Sequence, residues 1–128
     1  MITRDYLMEE AERLTKLIAA VVFQKHMEEE QGVQEYAISQ DAMLLGDLRR
    51  MVMTGEINEA ENLLFERLQQ KPTPQAFSAA GIFYRELSAL TDEALRQANF
   101  SRQEIMDGLR SVERIAQSYG QSGAQKQP

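Results

Sequence analysis

The chain has 128 residues, no cysteine and a formal charge of −6, from 14 Lys and Arg against 20 Asp and Glu. Its length suits one domain with a real core. The missing cysteines exclude disulfides, thiolate catalysis and zinc–sulfur sites. The acidity argues against a binder of nucleic acid or anionic membrane, which needs a basic footprint. The opening MITRDYLMEE lacks the apolar stretch of a secretory signal, because Arg4, Asp5, Glu9 and Glu10 interrupt it. The longest apolar run, Leu17-Ile18-Ala19-Ala20-Val21-Val22-Phe23, has seven residues. A bilayer span needs roughly 20, so a soluble cytoplasmic protein is expected.

Alternating apolar and polar runs are missing, which predicts an all-α chain of five to six helices. The first helix is expected over 3–30, with Thr3 as N-cap and Leu7, Ala11, Leu14, Ile18 and Val21 on one face. The stretch from Leu17 to Phe23 is apolar all round, so it is buried centrally or against a second copy. Leu17, Ile18, Val21, Val22 and Phe23 are therefore the candidate homodimer interface. Gln31-Gly32 breaks the pattern, and a second helix over 33–53 carries Val33, Ala37, Leu44, Leu48 and Met51. Gly55 stops it. A third helix over 56–70 buries Ile57, Ala60, Leu64 and Leu68. A fourth starts at Pro74 and presents Phe77, Ala80, Tyr84 and Leu87. Thr91-Asp92 caps a short fifth helix through Ala98. Ser101 and Glu104 form a capping box for a sixth, over 101–119, with Ile105, Leu109, Val112, Ala116 and Tyr119 on its face. The polar tail 120–128 is expected to be disordered. A single helical domain over 1–119 results. The acidity lies in residues 1–73, with 14 acids against 8 bases, whereas residues 74–128 are neutral.

Helix pairs joined by short turns prompt a search for repeats. Leu44, Leu48, Met51, Gly55, Ala60, Leu64 and Pro72 fall in the phase of a tetratricopeptide repeat, and Phe77, Ala80, Gly81 and Tyr84 begin a second unit. Asp47 stands where a leucine is usual, and the helix from Thr91 is cut short. The combination of MITRDYLM, GEINEAENLLFE and ANFSRQEI is similar to a family of small bacterial proteins of unknown function, regarded as tetratricopeptide-like. That resemblance implies an antiparallel helix-turn-helix array with a tetratricopeptide-like core over 33–98. It implies no activity, cofactor or site.

Catalytic constellations are missing from the sequence. His26 is the sole imidazole, and Phe23 stands where a Glu-x-x-His motif needs its Glu. No metal site, cofactor or enzyme activity is expected, and no glycine-rich phosphate loop opens a helix. Binding is the better reading. In stacked helix pairs the first helices line a concave surface. Arg49, Gln75, Ser78, Ile82 and Arg85 would face that groove and receive a protein or peptide partner, with arginine holding a carboxylate. Met43, Met51 and Met53 could add an adaptable face. The competing class is DNA binding, since 91–110 reads as helix-turn-helix with Ser101, Arg102 and Gln103 at the start of its second helix. Acids Asp92, Glu93, Glu104 and Asp107 surround that element and argue against it.

Overall fold

A computed structural model describes the backbone of residues 2–28 and 35–125, and the side chains of residues 2–21 and 43–120. Six helices follow in chain order: α1 Arg4–Glu28, α2 Glu35–Met53, α3 Ile57–Gln70, α4 Pro74–Ser88, α5 Asp92–Gln97 and α6 Arg102–Gln125. No strand occurs among the described residues, and the fold is an all-α bundle. The expected break at Gln31-Gly32, the helix start at Val33, Glu29 and Glu30, and the last three residues lie outside the described residues. So do the side chains of Val22, Phe23, His26, Glu28 and Ala37.

The helix starts follow from hydroxyl caps. The Tyr6 amide donates to Thr3 Oγ1 at 3.1 Å. Thr73 Oγ1 accepts from the Ala76 amide at 3.1 Å, with Pro74 in the first turn of α4. Thr91 Oγ1 accepts from the Ala94 amide at 3.1 Å. At α6 the box closes both ways: the Glu104 amide donates to Ser101 Oγ at 3.1 Å, and the Ser101 amide to Glu104 Oε1 at 2.8 Å. Each cap satisfies amides that the helix itself leaves without acceptors. Two helix ends share a left-handed stop. Gly55 has φ 82°, and the Glu56 amide reaches back to Met51 O at 2.8 Å. Asn99 has φ 57°, and the Phe100 amide reaches Leu95 O at 3.0 Å. Glycine adopts this conformation freely, and asparagine tolerates it better than most residues.

The hub of the bundle is α4, which packs against α1, α2, α3 and α6. Its buried residues, Ala76, Phe77, Ala79, Ala80, Gly81, Phe83, Tyr84, Leu87 and Ser88, cover most of its circumference. The many small side chains let neighbouring axes come close. The central helix is thus α4. On α1 the stripe Leu7, Ala11, Leu14 and Ile18 is buried, while Ala19 and Ala20 are exposed. Ile57, Ala60, Leu64 and Leu68 of α3 and Ile105, Leu109, Val112 and Ala116 of α6 complete the core.

The last helix differs from expectation. It passes Tyr119 and runs through Gly120 to Gln125, where a disordered tail was expected from residue 120. Gly120 is a crossing point rather than a stop, because a Cβ there would overlap Val21 Cγ1 on α1. Contact with α1 lets the helix continue through a residue that favours chain ends. The Tyr119 ring meets Phe77 with centroids 5.2 Å apart.

Candidate apolar groove

Two sequence-derived sets of residues meet at one place. A groove of about 720 Å³ lies between α1 and α4, lined by Thr15, Lys16, Ile18, Ala19, Ala20, Pro74, Phe77, Ser78, Gly81 and Ile82. Ser78 and Ile82 come from the expected concave face, and Ile18 from the expected oligomer face. The two helices are close here because Gly81 has no side chain: a Cβ would stand 3.3 Å from Thr15 Oγ1. The groove is open to solvent over exposed Ala19, Ala20 and Ser78. Its apolar character follows from Ile18, Ala19 and Ala20 on α1 and Pro74, Phe77 and Ile82 on α4.

The other expected residues are distributed differently. Gln75, Ser78, Ile82 and Arg85 do form one stripe of α4, at helical steps of three and four. Gln75 and Arg85 are exposed at its ends. Arg49 does not line this groove; it grips Glu86 of α4 in a two-pronged pair, Nε–Oε1 3.1 Å and Nη2–Oε2 2.5 Å. That pair pins α2 to α4 within the chain. Of the expected oligomer residues, Ile18 is 6% exposed and belongs to the core, while Leu17 and Val21 are half-buried. Met43 and Met53 are exposed, 66% and 85%, whereas Met51 packs against the core. Asp47 pairs with Arg50 on the same helix.

The helix-turn-helix segment has its own internal work. Arg102 turns inward, with its guanidinium donating to Ser88 O at 3.4 Å and Leu90 O at 2.8 Å, and Nε to Asp92 at 2.9 Å. Its side chain is only 12% exposed. Ser101 is the α6 cap, and Gln103 donates to Asp107 at 2.9 Å. Among these three, the residue with a charge for phosphate is already used to close the α4–α5 turn.

A buried polar contact was not legible in the sequence. Tyr84, fully buried, donates its hydroxyl to Glu61 of α3. Its ring and hydroxyl fill the space over Gly108 of α6, where a Cβ would overlap the hydroxyl. Burial raises the Glu61 carboxyl above the ordinary range, the Tyr84 hydrogen bond opposes this, and the charges of Glu104 and Asp107 add to it. Burial and the facing Glu61 keep the Tyr84 hydroxyl protonated. The only hint in the sequence was a glycine inside the apolar period of α6. Among the described residues no group of three or more His, Asp and Glu is placed to hold a metal ion. No helix there is long and apolar enough to cross a membrane.

The model of a family of unknown function, DUF6483, matches residues 1–117. The chain belongs to that family. No curated protein and no solved structure matches it. The match to DUF6483 ends within α6, so it takes in α1 to α5, both walls of the groove and the Tyr84–Glu61 contact.

Proposed function

We propose that this DUF6483 chain is a non-catalytic, cytoplasmic protein-interaction module, an adaptor or scaffold that receives a helix of a partner protein in the α1–α4 groove. The supporting observation is the groove itself: about 720 Å³, apolar on both walls, with small residues that admit a close backbone. From Pro74 to Ile82 the α4 wall extends ~12 Å at 1.5 Å per residue, which suits about two turns of a bound helix. Such a helix would place apolar side chains at i, i+3 or i+4, and i+7 over Ala19, Ala20 and Ile82, the accessible apolar residues of the two walls. The tetratricopeptide-like phase read in the sequence from Leu44 to Tyr84 supports a binding role.

The test is affinity capture from native lysate treated with nuclease, comparing wild type with Ile82→Glu. Ile82 is half-buried, so the variant is checked for unchanged melting first. A specific protein that wild type retains and Ile82→Glu loses supports the reading. Retention by both, or recovery only with nucleic acid present, contradicts it. Capture of a second copy of the chain alone would show a homodimer through α1 instead.

A further inference from the structure

The groove has a charge pattern that describes its occupant. The whole chain carries −6, and five arginines (Arg13, Arg49, Arg50, Arg96 and Arg102) are tied to the chain's own carboxylates. Lys16 lines the groove, and Arg85 continues the Ser78–Ile82 stripe one turn further along α4. Neither cation has an ion-pair partner among the described residues. Thr15 meets Gly81, so Lys16 lies level with the Ile82 end of the groove, the end that Arg85 extends. Glu12, one turn before Lys16, is the acid nearest to it along α1, and Glu86 beside Arg85 is already held by Arg49. The apolar trough therefore ends in two available cations, on opposite walls, in a chain that is otherwise acidic.

We infer that the partner helix is acidic: amphipathic, with apolar anchors for the trough and one or more Asp or Glu that pair with Lys16 and Arg85. This rests on the docking role proposed above and adds the chemistry of the partner. Exposed charges at the edge of an apolar contact contribute modestly to affinity and more to association rate and to the choice of partner. Lys16 supplies a mobile point charge, whereas Arg85 offers a fork that matches a carboxylate.

The experiment is a selection from a displayed library of helical peptides with leucines fixed at i, i+3, i+4 and i+7 and flanking positions randomised. The full-length chain serves as bait, with Ile82→Glu as the counter-bait. The proposal expects enrichment of Asp and Glu at the flanking positions. For the enriched peptides it expects roughly two- to fivefold weaker binding with either Lys16→Ala or Arg85→Ala, the scale of exposed ion pairs. The double charge reversal Lys16→Glu with Arg85→Glu should shift the selection to Lys and Arg, an outcome that loss of folding cannot produce. Groove binding by peptides with neutral or basic flanks would overturn the acidic-helix inference and leave the docking role standing. Absence of any peptide sensitive to Ile82→Glu would overturn both.

Discussion

A single missing methyl group decides how Tyr84 is seated. Gly108 stands under the ring in a helix where alanine would otherwise be favoured by about 1 kcal/mol. Gly108→Ala should destabilise the chain by about 1–3 kcal/mol, because Tyr84 is fully buried and has nowhere to move. Gly46→Ala is the matched control, since among the described residues no neighbouring atom lies within 4 Å of a Cβ there. It should stabilise by about 0.5–1 kcal/mol. Urea unfolding of both variants checks the pair; equal signs would contradict the placement of Tyr84. Glu61, on the other side of that hydroxyl, makes stability depend on pH. Its folded-state pKa is raised, so the native state holds the proton more tightly than the unfolded chain. Its contribution is fully present below the ordinary carboxylate range and is lost as pH rises through the raised value. Glu61→Gln keeps an acceptor for Tyr84 and removes this loss. The variant's stability relative to wild type should therefore grow from about pH 4 to about pH 7. Unfolding curves at the two pH values test this, and a flat or shrinking difference would refute it.

At the scale of elements, starts and stops were the most legible features. Thr3, Pro74, Thr91 and the Ser101–Glu104 box act where their residue types predict, because capping is a local interaction between near neighbours. The buried stripes of α1, α3 and α6 were legible for the same reason: helical period alone sets which residues share a face. Features that depend on a distant helix were not. Gly120 reads as a stop until Val21 is placed beside it, and Arg49 reads as a free groove residue until Glu86 is found across from it. Arg102 likewise reads as exposed, yet it closes the α4–α5 turn onto α6. Arg102→Ala should cost about 1–3 kcal/mol, since two backbone carbonyls and Asp92 lose a charged donor. Gln103→Ala, which removes a contact to Asp107 on the exposed side, should stay within about 0.5 kcal/mol. Thermal melts of the two variants separate an internal role for this turn from a surface one.

For the whole molecule, the consequence is a change in where the proposed binding face lies. The repeat phase points to a concave surface shared by α2 and α4, whereas Ser78 and Ile82 of that expected face line the groove between α4 and α1. The opposite wall is α1, and that pairing arises because Gly81 lets Thr15 and Ile18 approach, a tertiary fact with no local signature. The bundle thus joins a buried hub, α4, to a helix on which buried Ile18 lies beside exposed Ala19 and Ala20. In the proposed docking role, a partner helix would lie over exposed Ala19, Ala20 and Ser78 and leave the core in place. The most direct measurement is methyl NMR of the isoleucines as an enriched acidic peptide is titrated into the full chain. Docking in the α1–α4 groove predicts that the Ile18 and Ile82 methyls shift, while the Ile57 and Ile105 methyls, buried away from the groove, stay in place. Shifts centred on α5 and the start of α6, with Ile18 and Ile82 unmoved, would contradict it.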